Sequence, residues 1–350
     1  MVARRFGLSG HARSLKQGSM YYDNKIDSLR DIFGTKAVTL DDDGLTVEGR
    51  RYPIIDDVII LLEPAQFPPG LTHRLGLSGQ TSVGTDDFSP DIQHTFGEEW
   101  QEFPKILEEH EREFNGYFDV ADLEALADRR VCDLGCGNGR WATLLQHKAG
   151  ELVLVDFSEA VFVARKNLAE ATNALFFMAD IKQLPFRNDF ADLIYCIGVL
   201  HHLPTHALSE VRGLAKFAPR LLIYLYSALD GYPIHFRIIF AMVNVLRRAV
   251  CDIRNATFRW IFTWLAMLLL YLPMIAIGRI LQPFGLSARV PLYAFYHNKS
   301  LERIRQDVYD RFFTRIEQRF SRVQITTLQD TFTKVTISDG LPVWHFLCER

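Results

Sequence analysis

The sequence predicts an α/β protein built on an open, mostly parallel sheet, and three observations carry that expectation. The run VCDLGCGNGR (131–140) reads as a buried strand that ends in an acid and opens into a loop with glycines at 135, 137 and 139. Three further apolar segments follow, ELVLVDFSEA (151–160), ALFFMADIKQLPF (174–186) and ADLIYCIGVLHHL (191–203), each turning polar at its end. That is the rhythm of strands alternating with helices. Finally, FTKVTISDG and LPVWHFLCER (332–350) fit two antiparallel strands about the Gly340 turn. With RLLIYLYSA (220–228) as a fifth strand, the sheet is parallel at its centre and antiparallel at its C-terminal edge.

The glycine loop is the chemical signal. Gly135, Gly137 and Gly139 lack Cβ atoms, so the loop can adopt positive φ and let a ligand lie against its backbone N–H groups. A dinucleotide loop would also follow a first strand, but here the third glycine comes one residue early. Arg140 also stands where that loop needs Gly or Ala. The later strand ends supply the rest: Asp156 is placed to accept hydrogen bonds from both hydroxyls of a ribose. Ala179-Asp180-Ile181 offers an acid beside a backbone N–H, a pair that reads an adenine edge. Together the strand ends describe an adenosine-shaped ligand.

On these four motifs the chain resembles the class I S-adenosylmethionine-dependent methyltransferases, specifically the type 11 group that includes the ubiquinone/menaquinone-biosynthesis-like enzymes. The resemblance covers residues 95–228 and resumes at the C-terminus. It implies a Rossmann-like sheet completed by the C-terminal antiparallel hairpin, and S-adenosylmethionine as cofactor. Asp133 and the loop of Gly135, Cys136, Gly137 and Gly139 would hold the methionine end, Asp156 the ribose, and Asp180 with Ile181 the adenine. Phe157 would pack on the purine, and Cys196–Val199, with Ile197 among them, would line the methionine tail. The segment 95–118, an amphipathic helix by its pattern, would be a lid with Trp100 near the entrance.

Composition places no nucleic acid among the partners, since the formal net charge is −3. Five cysteines without a CxxC pair argue for reduced thiols, a cytoplasmic setting and no metal site. Ahead of the core, residues 1–24 read as a disordered lead-in and 25–65 as a small β module. The phrase RYPIIDDVIILL (51–62) is similar to the end of a zinc-ribbon-like module fused to some methyltransferases. No cysteine precedes Cys132, so zinc is not implied. Residues 66–94, rich in Pro, Gly, Ser and Thr, read as a linker into the 95–228 core.

An apolar helical insertion spans 229–324, and 325–350 returns to the sheet with a helix and the hairpin. Within the insertion, WIFTWLAMLLLYLPMIAI (260–277) carries no charge and has the length of a marginal membrane span. The returning hairpin forbids a single crossing, which leaves an in-plane or re-entrant membrane contact or a dry cap over the acceptor pocket. Arg237, Arg247, Arg248, Arg254 and Arg259 flank the run and suit an anionic membrane surface. His201, at the end of the fourth strand, is the candidate general base, and His202 reads as a packed neighbour. His297, Asp307, Tyr309 and Asp310 form a second polar cluster, either acceptor-binding or the charged face of a helix.

The function expected is O-methylation of a lipophilic, lipid-linked or glycan-type small molecule at the cytoplasmic membrane face. Two other readings stay open: a methyltransferase for a soluble metabolite, and a non-catalytic S-adenosylmethionine-binding subunit of a membrane complex.

Overall fold

The computed structural model describes residues 21–41, 44–77, 84–229, 232–340 and 343–350. Most of the expected lead-in, residues 1–20, and part of the expected linker, 78–83, lie outside the described residues. Among the described residues one sheet is formed from β1 (Val38–Asp41), β2 (Gly44–Val47), β3 (Arg50–Ile55), β4 (Val58–Ile60), β5 (Arg130–Leu134) and β6 (Glu151–Asp156). It continues through β7 (Ala174–Met178), β8 (Leu193–Ile197), β9 (Arg220–Leu225), β10 (Lys334–Ile337) and β11 (Trp344–Glu349). The spatial order is β1-β2-β3-β4-β7-β6-β5-β8-β9-β11-β10.

Strands β7, β6, β5, β8 and β9 run parallel, and all five residues of β7 and of β8 are buried. Such strands are covered by helices on both faces, so they read as continuous apolar runs. The order reverses at β5, with β6 on one side and β8 on the other. That switch point opens a crevice at the carboxyl ends of the strands. At the far edge β11 pairs antiparallel with both β9 and β10, with Phe346 opposite Ile223 and Ile337.

The N-terminal part departs from the sequence reading. The expected separate module at 25–65 is an extension of the main sheet: β1–β4 form an antiparallel meander, and β4 pairs parallel with β7 through Ile59 and Phe177. The reason is an edge problem, because β7 would otherwise expose its unpaired backbone on a wholly apolar strand. Nor does a lead-in reach residue 24. The Tyr22 ring is fully buried, its hydroxyl donating to the Asp57 carbonyl at 2.7 Å and accepting from the Phe176 N–H at 3.2 Å.

The expected linker at 66–94 is packed where it is described. Its prolines open the short helix Pro69–Arg74 and the helix Pro90–Glu102, a position where a missing N–H costs nothing. Phe67, Leu71, Phe88 and Ile92 are buried. The single helix expected over 95–118 is two, Pro90–Glu102 and Glu109–Tyr117. Pro104 lies in the break, where it cannot donate a helical hydrogen bond.

The insertion is helical, as the sequence suggests. Its main elements are Ile234–Val250, a long helix Ala256–Phe284, the turn Tyr293–Tyr296, and Leu301–Phe313. The long helix runs through Pro273 by way of a π-type turn at Met267–Tyr271, which accommodates the lost hydrogen bond without ending the helix. These helices share an apolar core of their own, including Phe103, Val250, Met267, Ile275, Val308 and Phe312. The chain then returns beside β9, where the Phe320 N–H donates to the Tyr226 carbonyl at 2.9 Å and the Phe320 carbonyl accepts from Ala228.

Removing the Tyr22 hydroxyl tests the N-terminal correction. Tyr22→Phe leaves the Phe176 N–H buried without a partner, so urea unfolding should show a loss of about 1–3 kcal/mol. An unchanged midpoint would mean that the segment before β1 is not part of the core.

Candidate active site

A cavity of about 500 Å³ opens at the carboxyl ends of β5, β6, β7 and β8. Of the residues expected to hold the cofactor, Gly135, Asp156, Phe157, Asp180, Ile181, Ile197 and Trp100 lie on its wall. Asp133, Cys136, Gly137 and Gly139 do not. The three glycines all have positive φ, +83°, +54° and +75°, but each is required for a different reason. A Cβ at Gly135 would run into the Val199 side chain, and one at Gly137 would come within 2.7 Å of the Trp100 indole. A Cβ at Gly139 would press on Ala164 and Leu168 of the next helix at 3.1 Å.

Asp156 ties the first two strand ends together. Its Oδ2 accepts from the Gly137 N–H at 2.9 Å, and its Oδ1 from the Ser158 N–H and hydroxyl at 2.8 and 2.7 Å. Burial nevertheless raises its carboxyl above the ordinary range, with those hydrogen bonds opposing. Asp180 accepts from the Lys182 N–H at 3.0 Å and from the Gln66 amide at 2.9 Å, and burial is again the main cause of its raised pKa. Phe157 packs edge-on against Phe88.

Asp133 sits beneath the loop. It is buried with Oδ2 unpartnered, and burial pushes its carboxyl up to about 8, the Tyr195 hydroxyl opposing and Asp156 adding to the rise.

The structure places the two histidines differently from the sequence reading. His201 is fully buried, off the cavity wall, and neither ring nitrogen has a hydrogen-bond partner. Its ring lies 4.0 Å from that of Tyr226 and 4.2 Å from that of His202, centroid to centroid. Burial, with His202 and Arg319 nearby, holds its pKa well below the usual imidazole range. His202 instead lines the cavity. The sequence reading carried strand alternation through to residue 202, but β8 stops at Ile197, Gly198 turns at φ +80°, and Leu200–His202 form a 3₁₀ turn. Such a turn rotates successive side chains by about 120° rather than 180°.

His202 is oriented by its neighbours. Its Nδ1 lies 2.8 Å from the Ile316 carbonyl, which fixes the proton on Nδ1 and leaves the Nε2 lone pair available. Asp310 Oδ1 is 3.9 Å from Nε2. That carboxylate is itself oriented, accepting from the Tyr226 hydroxyl at 2.8 Å and the Thr314 hydroxyl at 2.9 Å.

Of the second polar cluster, Asp307 and Asp310 line the cavity, whereas His297 stacks on Tyr293 and Tyr309 bonds Arg259. Among the wall residues that escaped the sequence reading as site residues are Glu99 and Arg140. Glu99 is buried, accepts from Gln306 at 3.1 Å and has Oε2 without a partner; burial raises its carboxyl well above the ordinary range. The Arg140 guanidinium lies against the Trp100 and Trp141 rings, 4.9 and 4.5 Å from their centroids, with Nη1 unpartnered. Arg140 had a signal, the conflict with a dinucleotide loop. Glu99 had none, because its inward face depends on a helix packed across it.

These residues fit an adenosylmethionine. Asp156 at the end of β6 and Asp180 beyond the end of β7 lie on the wall, the glycine loop has no room for added Cβ atoms, and the unpartnered Nη1 of Arg140 offers a donor to a carboxylate. The fold is the mixed α/β, Rossmann-like arrangement expected of the class I methyltransferases. Residues 131–217 match the family described as methyltransferase domain. Over 100 residues the chain is 34% identical to phosphoethanolamine N-methyltransferase 3 of Arabidopsis thaliana, covering 28% of this chain and 20% of that protein. Over 95 residues it is 33% identical to a tRNA U34 carboxymethyltransferase of Sulfurimonas denitrificans, covering 26% and 31%. A crystal structure of a SAM-dependent methyltransferase from Aquifex aeolicus aligns at 15% identity and a TM-score of 0.33, covering 42% of this chain and 86% of that one. The chain thus spans 20% and 31% of the length of these two curated relatives.

Two measurements check the site. Asp156→Ala should weaken S-adenosylmethionine binding by about 1.5–3 kcal/mol in calorimetry, and Gly137→Val should weaken it further by displacing Trp100. Unchanged affinity in Asp156→Ala would remove that residue from the site.

Asp133 gives a pH signature. Between its ordinary value of 3.8 and about 8, the folded protein keeps a proton that the unfolded chain releases. Its contribution is therefore fully present below the lower value and is lost as pH rises. Asp133→Asn removes that slope, so its stability relative to the parent should rise from about pH 5 to about pH 8. A constant difference would show that the carboxyl is not held neutral.

Proposed function

We propose that this chain is an S-adenosylmethionine-dependent methyltransferase of the type 11 group that O-methylates a lipophilic, lipid-linked or glycan-type small molecule. The observation that carries the reading is the continuity of the cavity. From the strand ends it extends under the insertion, where Phe236, Phe240, Val243, Leu270, Met274 and Phe295 form an apolar chamber. The same cavity is also lined by polar groups that include Glu99, His202, Asp307 and Asp310. An acceptor with an apolar body and a hydroxyl at one end matches that division.

When bound, the cofactor supplies an activated methyl group on a sulfonium. Asp156 and Asp180 would hold its ribose and adenine, and Arg140 its carboxylate. The chamber orients the acceptor, which converts encounter into alignment for in-line attack. His202 Nε2 takes the hydroxyl proton as the oxygen attacks, and Asp310 stabilises the imidazolium that forms. The insertion helices and the helix Pro90–Glu102 keep water from the reacting atoms.

His202→Ala should lower turnover by roughly 10²- to 10⁴-fold with cofactor affinity nearly intact, whereas His201→Ala should show its main loss in thermal stability. The assay is transfer of isotopically labelled methyl from S-adenosylmethionine to cell-extract fractions, followed by mass spectrometry. Label in a hydroxyl-derived ether or ester of an apolar compound supports the reading. Label only in a water-soluble metabolite overturns the acceptor class, and cofactor binding without any transfer favours a non-catalytic subunit.

A further inference from the structure

We propose that the outer face of the insertion is a docking surface for an anionic lipid bilayer, on which the protein lies without crossing it. Fifteen of the eighteen large apolar side chains that are exposed among the described residues fall between Ile234 and Leu286. On the helix Ile234–Val250 the exposed Ile234, Ile238, Met242 and Val245 recur every three or four residues, which places them in one stripe. On the long helix Trp260, Leu265, Leu269, Ile280 and Phe284 are exposed. Both helices rest on Leu301–Phe313, so both outer stripes turn away from the same support. An apolar surface of this extent on a monomer marks an interaction site.

Charge selects the occupant. Residues 232–299 contain eight basic side chains and one acid, Asp252, in a chain with 39 basic and 42 acidic residues. The basic residues do not all serve the surface. Arg247 is buried and donates to the Thr314 and Arg315 carbonyls, and Arg259 is buried against Glu98 and Tyr309. Arg254 is exposed but paired with Asp91. Arg237, Arg248, Arg279 and Arg289 are also exposed, around the apolar stripes. A cationic rim about an apolar, Trp-bearing face is complementary to anionic headgroups over acyl chains, and another copy of the same cationic face would be repelled by it.

The long helix is apolar enough to span a membrane by composition, with only a third of its apolar window buried. Its inner stripe excludes that. Arg259, Thr263, Met267, Tyr271, Ile275 and Gly278 are buried against the rest of the protein, and Gly278 is tight against the Tyr293 ring. Crossing would strip that stripe from its partners and place the Arg259–Glu98 pair in hydrocarbon.

The docking face and the cavity are continuous. Ile239, Ala288 and Ala294 line the cavity and are also exposed. A lipophilic molecule in the bilayer therefore has a mouth through which to enter the chamber without passing through water. That last consequence rests on the acceptor class proposed above; docking itself does not.

The test uses the purified full chain and flotation with vesicles of phosphatidylcholine, with and without phosphatidylglycerol. Binding is expected to the anionic vesicles and to weaken as salt rises, since exposed charges are screened over about 8 Å at physiological ionic strength. Met242→Glu and Leu269→Glu, both exposed and off the cavity wall, should each weaken binding by about tenfold or more. Arg237→Glu with Arg248→Glu should do the same at low salt. Cofactor affinity and melting temperature are measured on the same samples, so that loss of docking is separated from loss of the site. No flotation with anionic vesicles at any salt, or a parent protein that is a dimer and becomes monomeric in Met242→Glu without binding vesicles, overturns the proposal.

Discussion

The pairing of β9 with β11 is the constraint on which the rest of this structure depends. Six residues, Arg220–Leu225, are matched antiparallel to Trp344–Glu349, so the chain between β9 and the β10–β11 hairpin must leave the sheet and return to the same edge. The excursion begins at the carboxyl end of β9, on the side where the strand ends form the crevice. An apolar segment launched there has one favourable place to bury its inner face, across the crevice itself. The roof of the cavity and the outward apolar face follow from the same fact: the insertion closes over the site, and among the described residues its other side stays exposed.

Charge inside the roof shows how firmly it is set. Glu113 is buried between Lys299 and Arg303, and Arg303, Arg140 and Lys299 hold its carboxyl down to about 2 against the effect of burial. Arg303 also pairs with Asp307 on the cavity wall. A buried network of this kind contributes less to net stability than its Coulomb energy suggests, yet breaking one partner leaves a charge uncompensated. It therefore fixes the register of Leu301–Phe313 against Glu109–Tyr117, and with it the positions of Asp307 and Asp310.

How much of this was legible in the sequence follows from the range of the interactions. The glycine loop and the acids at 156 and 180 are local signals, because strand, turn and helix are decided within a few residues. The terminal hairpin was equally readable from its alternation and its turn. His201 and His202 were exchanged because a single positive-φ glycine at 198 ends the strand, and periodicity then predicts the wrong face. The β1–β4 meander was read as a separate unit because nothing in its own residues announces that β7, over a hundred residues later, needs an edge partner. Prolines that start helices resembled a linker, and arginines that pair inward, Arg247 and Arg259, resembled a surface patch. Glu99 was invisible for the same reason, since its burial is created by helices distant in sequence.

Under the proposed function, the inner face of the insertion is the acceptor chamber. Val243 lines that chamber and lies away from the strand ends, so Val243→Trp fills it without touching the groups proposed to hold the cofactor. The most direct test compares single-turnover methyl transfer to a membrane lipid extract by the parent and by this variant, with S-adenosylmethionine affinity measured in both. Labelled product in the organic phase is expected for the parent, and its loss in the variant at unchanged cofactor affinity. Equal labelling by the two proteins would contradict that proposal.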